Sequence, residues 1–251
     1  MLVIANSADP DLGYVGERLT ELGFRVTRCW RDDATSLEDA RAAAELPETA
    51  LVLSLGSEWS VHDPALQTTV EAEADLLRTA LAHRAGLLGL CYGGQILAHA
   101  FGGSVVKAEA GEIGWFSPAA DGPHDSGPLA ELGAQVCSGP WLEWHGDRFD
   151  PPPGAQVLGR TAAAVQAFAL PGVLGLQFHP EGTFAMVARW AAGARDDLAR
   201  QGLDANELIE RTEREVVGSR ARAHALVDSF LASLPANFTA QTDRVHPEPQ
   251  G

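Results

Sequence analysis

The sequence has few cysteines and few basic residues. Its three cysteines, Cys29, Cys91 and Cys137, are widely spaced and form no CxxC pair, which argues against a disulfide framework or a zinc site and favours a reducing cytoplasm. The chain carries 18 Lys and Arg against 34 Asp and Glu, a formal net charge of -16. Such a charge repels nucleic acid and anionic membrane surfaces. We therefore expect neither a nucleic-acid nor a membrane partner.

Long apolar segments are also missing. No stretch approaches the about 18 to 20 consecutive apolar residues that a membrane-crossing helix needs. The N-terminal run MLVIANSADP has no basic region before it and is typical of a first strand rather than of a signal peptide. We expect a soluble, cytoplasmic protein whose 251 residues, 45% of them hydrophobic, bury one large core.

The first half of the chain alternates short apolar runs with longer amphipathic segments. The apolar runs predict buried strands at 2–6, 24–28, 50–55 and 86–90. The amphipathic segments predict helices near 10–22, 36–46 and 65–84. This alternation predicts parallel pairing in a sheet that helices cover on both faces.

The second half shows a different pattern. A helix after Cys91 and a short strand at 104–106 precede a loop at 117–140, which is rich in Pro, Gly and Ser and contains one short helix around 129–132. Three closely spaced apolar runs then predict antiparallel strands at 155–160, 164–170 and 173–178. The remainder predicts one domain over 1–235, with a core at 1–190, a helical extension at 191–235 and a disordered tail at 236–251.

The segment GLCYGGQ at 89–95 places a cysteine between a predicted strand and a predicted helix. Because almost no residues remain for a turn, Cys91 must adopt a cramped backbone conformation, and G-L-C-Y-G fits the nucleophile elbow G-x-S-x-G with cysteine in place of serine. The start of the helix directs N–H groups and a positive dipole end at the sulfur, which favours the thiolate. The pattern alone is equally compatible with a buried structural cysteine.

A cysteine nucleophile needs a histidine to exchange its proton. The apolar run VLGLQF leads directly into His179, Pro180 and Glu181, where an extended i, i+2 relation can place the His and Glu side chains on one side. Glu181 could then orient the imidazole towards Cys91. A surface turn with a solvated histidine is the alternative. The same tripeptide recurs at 246–248 without a preceding strand, and we assign no function to that copy.

Acyl transfer also requires donors for a developing oxyanion. The backbone N–H of Tyr92, the residue after the cysteine, is one candidate. Gly56 is the second, because it lies at the carboxyl end of a predicted strand, the edge at which open α/β sheets bind ligands.

Four segments occur in the order found in class I glutamine amidotransferases: LVLSLG at 51–56, GLCYGGQ at 89–95, WHGD at 144–147 and LQFHPE at 176–181. The chain resembles this triad-type family over most of residues 1–190, and is most similar to stand-alone relatives of the glutaminase domain of GMP synthase. The resemblance implies a flavodoxin-like α/β/α fold of three layers with a mainly parallel central sheet, here followed by a helical C-terminal extension.

By this resemblance Cys91 is the nucleophile, His179 the acid/base and Glu181 the orienting carboxylate. The resemblance also implies that Gln95 and the backbone around His145, Gly146 and Asp147 hold the amino-acid end of glutamine. Gln95 is also compatible with a helix surface, and His145 and Asp147 with loop stabilisation.

The sequence departs from the family pattern at two places. It has Leu55-Gly56-Ser57 where the family often has Gly-Gly-Pro, and Gly93-Gly94-Gln95 where the family often has Gly-His-Gln. The first change implies an oxyanion loop of different shape. Neither change removes a side chain that the chemistry requires.

The implied reaction is hydrolysis of the γ-amide of glutamine through a thioester, without a metal or an organic cofactor. The sequence contains no HExxH motif and no P-loop. Three functions stay open: a glutaminase that supplies ammonia to a separate synthetase, a stand-alone γ-glutamyl hydrolase or peptidase, and a non-catalytic binding module. The intact Cys91, His179 and Glu181 argue against the last.

Overall fold

A computed structural model of the protein describes residues 1–122 and 127–238. The described residues form nine strands: β1 (Leu2–Ala5), β2 (Thr27–Trp30), β3 (Leu51–Ser54), β4 (Gly86–Leu90), β5 (Ser104–Phe116), β6 (Trp141–Asp150), β7 (Gln156–Arg160), β8 (Val165–Leu170) and β9 (Val173–Leu176). They also form α-helices α1 (Gly13–Glu21), α2 (Ala34–Ala44), α3 (Gln67–Ala82), α4 (Tyr92–Ala100), α5 (Pro128–Val136), α6 (Phe184–Gly193), α7 (Arg195–Arg200) and α8 (Ala205–Ser233).

Seven of these strands form the central sheet, in the order β2-β1-β3-β4-β9-β8-β7. The first five are parallel, and β8 pairs antiparallel with both β9 and β7. The strand order of the parallel part is that of flavodoxin-like sheets, as the sequence predicts. The predicted antiparallel strands are also present, but β9 additionally pairs in parallel with β4 and so places its carboxyl end beside that of β4.

Helices cover both faces of the sheet, so the molecule has three layers. Val3 points to the face covered by α1, α5 and α8, where it joins a core with Leu19 and Leu226. The next residue, Ile4, points to the face covered by α2, α3 and α4, in a second core with Leu37. This alternation follows from the period of two of a strand, and it explains why the inner parallel strands β1, β3 and β4 are buried along their whole length.

The strand pair β5 and β6 corrects the sequence interpretation, which predicted a strand only at 104–106 and none at 144–147. The two strands form a separate antiparallel sheet with a register shift between Lys107 and Glu112. The apolar pattern is weak because much of β5 is exposed, whereas β6 buries the polar side chains of Glu143 and His145.

The long helix α8 packs along α1 and α5, with Leu226, Val227 and Phe230 buried in the core. The described chain continues past the boundary predicted at 235, and Phe238 is buried in the same core. The rest of the predicted tail, 239–251, lies outside the described residues. None of the helices between residues 1 and 238 that the structure describes is long and apolar enough to cross a membrane.

Candidate active site

Cys91 lies between the end of β4 and the first residue of α4. Its backbone has φ 50° and ψ −107°, a left-handed conformation that residues with a side chain rarely adopt. The tight packing requires glycine two residues later, since a Cβ on Gly93 would lie 1.9 Å from the backbone oxygen of Ser54. The cramped junction expected from the sequence is present, and it puts Cys91 at the N-terminus of α4.

His179 and Glu181 follow β9 at the same edge of the sheet. The backbone N–H of His179 donates to the carbonyl of Leu142 on β6 at 2.8 Å, and Nδ1 of His179 lies 2.7 Å from Oε1 of Glu181. Both side chains are buried, at 7% and 3% exposure. The alternative of a surface turn with a solvated histidine does not fit this burial.

The charge state of His179 follows from its surroundings. Burial lowers its pKa, but the negative charge of Glu181, which its Nδ1 contacts, and the nearby sulfur of Cys91 raise that pKa well above its ordinary value. The imidazole is therefore held as a cation between a carboxylate and the sulfur.

Gly56 follows β3 and lies between the two reactive side chains. A Cβ placed on Gly56 would be 2.9 Å from Cε1 of His179 and 3.6 Å from Cβ of Cys91. Tyr92 is the first residue of α4, where backbone N–H groups have no acceptor within the helix. The carboxyl ends of β3, β4 and β9 thus bring Gly56, Cys91, Tyr92 and His179 together.

The residues expected to hold an amino acid lie where β6 passes α4. Gln95 is buried, not on a helix surface, and its Nε2 donates to the backbone oxygen of Asp147 at 3.1 Å. Nδ1 of His145 lies 3.0 Å from the same oxygen. The Asp147 carboxylate accepts from Oγ of Ser60 at 2.6 Å, which ties β6 to the loop after Gly56. Gly146 is exposed at the end of this group.

Two other contacts to the sulfur were not predicted. The Cys91 thiol lies 3.8 Å from the carbonyl oxygen of Trp144 on β6, and Nε2 of Gln177 lies 3.8 Å from Sγ. Both neighbours lie inside the motifs quoted from the sequence, WHGD and LQFHPE, but their own residue types carry no signal of this contact.

A buried polar cluster behind β6 was also missed. Nε2 of His145 lies 3.2 Å from Oε2 of Glu112 and 3.4 Å from Oε2 of Glu143. Glu112 Oε2 further accepts from Thr161 at 2.9 Å and from Gln166 at 2.8 Å. The cluster depends on the pairing of β5 with β6, so it leaves no trace in the apolar pattern of the sequence.

Burial and charge set the protonation of this cluster. Burial lowers the pKa of His145, but the hydrogen bond to Glu112 and the negative charge of the nearby Glu143 outweigh it and raise the pKa to about 10. Burial raises the pKa of Glu143 to about 7, against the opposing effect of His145. Neither oxygen of Glu143 accepts a hydrogen bond from the described residues.

The three ionisable members could in principle hold a metal ion, because donor atoms of Glu112, Glu143 and His145 lie within 4.8 Å of one another. A carboxylate oxygen has two lone pairs, however, and Glu112 Oε2 already faces the donors of His145, Thr161 and Gln166. The arrangement therefore fits a protonated imidazole between two carboxyl groups better than it fits a metal.

The site as a whole has the components of acyl transfer. A sulfur lies at a helix N-terminus, an imidazole paired with a buried carboxylate lies beside it, and backbone N–H groups of the helix start and of the β3 loop are close by. These are the requirements for a nucleophile, an acid/base and an oxyanion hole.

Comparisons with known proteins agree with this chemistry. The family model described as glutamine amidotransferase class-I matches residues 14–185. The chain is 37% identical over 150 residues to a glutamine-hydrolysing GMP synthase of Thermomicrobium roseum, covering 57% of this chain and 25% of that protein. It is 34% identical over 237 residues to the GMP synthase of Aeropyrum pernix, covering 88% of this chain and 42% of the relative.

A solved structure extends the comparison to the fold. The glutamine amidotransferase of Methylobacillus flagellatus superposes with a TM-score of 0.73 at 25% identity, covering 94% of this chain and 95% of that one. The chain spans less than half the length of the two GMP synthases that it matches.

Proposed function

Because the chain belongs to the class I glutamine amidotransferase family, we propose that it hydrolyses the γ-amide of glutamine through a Cys91 thioester and releases ammonia for a separate synthetase. The observation that carries this proposal is the buried His179–Glu181 pair, 2.7 Å apart, beside Cys91 and Gly56 at one edge of the sheet.

The first half of the reaction forms the thioester. The Cys91 thiolate attacks the γ-carbonyl carbon, and the negative charge that develops on the carbonyl oxygen is stabilised by the N–H groups of Gly56 and Tyr92. The C–N bond then breaks as the His179 imidazolium donates its proton to the leaving nitrogen, which departs as ammonia. Glu181 keeps the imidazole oriented in both protonation states.

The second half regenerates the enzyme. The neutral imidazole of His179 takes a proton from water as the oxygen attacks the thioester carbonyl, and the same N–H groups stabilise the second oxyanion. Collapse of this intermediate breaks the C–S bond, releases glutamate and restores the Cys91 thiolate beside the His179 imidazolium. No metal or organic cofactor takes part.

We assign the amino-acid end of glutamine to the group around β6. Gln95 and the backbone of His145, Gly146 and Asp147 offer amide N–H and carbonyl groups within reach of the sulfur, and Gln95 is fixed by its bond to Asp147. These groups suit an α-carboxylate and an α-ammonium group, which need donors and acceptors respectively.

The ammonia acceptor is proposed from the relatives. The matched proteins are named as glutamine-hydrolysing GMP synthases, and we propose that the ammonia released at Cys91 is likewise used by a synthetase, carried on a separate partner. We also propose a cytoplasmic location, since the described chain keeps Cys29, Cys91 and Cys137 as free thiols.

The experiment is mass spectrometry of the purified protein after brief exposure to glutamine or to a γ-glutamyl peptide, with ammonia and glutamate assayed. We expect glutamine turnover and labelling of Cys91 by a reactive glutamine analogue, both abolished in Cys91→Ala. Cys137→Ala is the matched control, because this thiol bonds Leu158 away from the site, and it should keep full activity. Turnover of peptides with glutamine ignored would instead identify a γ-glutamyl hydrolase.

A further inference from the structure

A fully buried ion pair lies beneath the candidate active site. Arg31 directly follows β2 and Glu73 lies on α3, and both side chains have 0% exposure. Nε of Arg31 donates to Oε2 of Glu73 at 2.7 Å, and Nη2 donates to Oε1 at 3.2 Å. Burying two charges is costly, and the residues that contact this ion pair indicate its role.

The remaining donors of Arg31 bind the carboxyl ends of β1 and β3. Nη1 donates to Oδ1 of Asn6 at 2.5 Å, and Nη2 donates to the backbone oxygen of Leu55 at 3.0 Å and to Oγ of Ser54 at 3.2 Å. Ser54 Oγ in turn donates to Glu73 at 2.7 Å. The guanidinium is thus fixed by several partners, and it fixes the carbonyl of Leu55.

That carbonyl belongs to the peptide group that carries the N–H of Gly56. In a trans peptide the C=O and N–H bonds point in opposite directions. Because the Leu55 oxygen is held towards the buried guanidinium, the Gly56 N–H is held on the opposite side of the peptide plane. Gly56 itself lies against His179 and Cys91, so this orientation makes its N–H available to a substrate at the sulfur.

The same guanidinium also contacts the second oxyanion residue. The Cζ atom of Arg31 lies 4.5 Å from the centre of the Tyr92 ring, which has no exposed surface. A cation over an aromatic face at this distance is attractive. Tyr92 is the first residue of α4, so the contact anchors the helix start from which its N–H projects.

We propose that Arg31, held by Glu73, is a positioning residue that fixes both N–H donors of the oxyanion hole, those of Gly56 and Tyr92. The inference rests on the proposed hydrolysis at Cys91. It assigns a role in catalysis to a side chain that touches neither the substrate nor the sulfur.

Arginine is required by the number of partners. A guanidinium has five N–H donors in a planar fork, whereas a lysine ammonium has three on a single atom. Lysine at position 31 keeps the charge opposite Glu73, but one nitrogen cannot also reach Asn6, Ser54 and Leu55. Arg31→Lys therefore keeps the positive charge opposite Glu73 but removes the hydrogen bond that fixes the Leu55 peptide.

The test compares two reactions of Cys91 in wild type and in Arg31→Lys. Hydrolysis of glutamine forms an oxyanion, whereas alkylation by iodoacetamide displaces iodide at a CH2 group and forms none. We expect kcat for glutamine to fall by at least about 10-fold, towards the about 10²–10³-fold loss seen when an oxyanion donor is removed, with KM and the alkylation rate within about twofold of wild type. If Arg31 had only a structural role, the loss of kcat would not occur without a similar loss in the alkylation rate.

Arg222→Lys is the matched control. Arg222 also bonds a backbone oxygen, that of Pro140 at 3.0 Å, and also lies over a ring, that of Trp141 at 5.8 Å, but it contacts no oxyanion residue. We expect both reactions to keep their wild-type rates in this variant. Thermal melting followed by circular dichroism establishes that each variant is folded under the conditions in which its rates are compared with those of the wild type.

The inference is overturned if folded Arg31→Lys retains kcat, or if hydrolysis and alkylation fall by the same factor. If Arg31→Lys does not fold, Glu73→Gln replaces it, since it keeps the side-chain shape and removes the charge that holds the guanidinium, and the same split is expected. A wild-type protein that reacts with iodoacetamide but hydrolyses neither glutamine nor γ-glutamyl peptides contradicts the proposed function itself. An active wild type with unaffected variants contradicts only the role of Arg31.

Discussion

Replacing Glu143 with glutamine is expected to make the protein more stable by about 3 kcal/mol at pH 8 and by less than about 1 kcal/mol at pH 5. Burial raises the pKa of Glu143 from 4.5 to about 7. Between these values the folded protein binds the proton that the unfolded chain has released, so the free energy of unfolding falls as pH rises. At 1.36 kcal/mol for each pKa unit, a shift of this size corresponds to about 3 kcal/mol lost by pH 8. Glutamine has no proton to lose, and the variant should keep that stability.

The assay is urea unfolding of both proteins at pH 5, 6, 7 and 8, reported as the difference in unfolding free energy at each pH. In the wild type His145 has its pKa raised to about 10 and keeps its proton throughout this range. Glu143 contributes to that rise, so Glu143→Gln lowers the pKa of His145, and any loss of its proton by pH 8 subtracts from the expected gain. Glu109→Gln, at an exposed position of β5, controls for the loss of one carboxylate. A Glu143→Gln difference that stays flat within about 0.5 kcal/mol from pH 5 to pH 8 would refute the reasoning, since that is the scatter of ordinary surface changes.

Three further outcomes follow from the geometry. Gly56→Ala should lower glutaminase kcat by about 100-fold with little change in melting temperature. The added Cβ would lie 2.9 Å from Cε1 of His179, and a displacement of a catalytic group by about 1 Å can lower the rate by that factor. A variant with wild-type kcat would contradict this. Cys91→Gly should be more stable than Cys91→Ala by about 1 kcal/mol, measured by urea unfolding, because glycine tolerates the φ of 50°. Ser60→Ala should raise KM for glutamine several-fold at nearly constant kcat, because Asp147 loses a hydrogen bond of 2.6 Å worth about 1.5–3 kcal/mol. An unchanged KM would show that this hydrogen bond does not contribute to substrate binding.

Local sequence signals predicted the parts of the site that lie at strand ends. Cys91 and His179 each follow an apolar run that predicts a buried strand, and a glycine or proline marks the break after it. Gly56 was placed by the same logic. The parallel sheet was predictable because its inner strands β1, β3 and β4 are buried on both faces and are therefore mostly apolar, whereas the flavodoxin-like fold was implied by the family resemblance.

The supporting layer was not predictable in the same way. Arg31 and Glu73 lie far apart in the chain, and in sequence each looks like a solvated charge. Only the tertiary contact between the residue after β2 and α3 buries them together. Glu112 and Glu143 are hidden for a related reason, since charged residues inside β5 and β6 break the alternation that indicates a strand. Long-range pairing of polar residues leaves no periodic signal.

The position of β9 has a consequence for how the protein refolds. It is the last strand of the described residues, yet it lies inside the sheet between β4 and β8, and it ends just before His179. Until that strand is inserted, Cys91 has no imidazole beside it. The recovery of the proposed glutamine hydrolysis during refolding would therefore time the insertion of β9, and an intermediate containing only the earlier strands would lack the acid/base that this reaction needs.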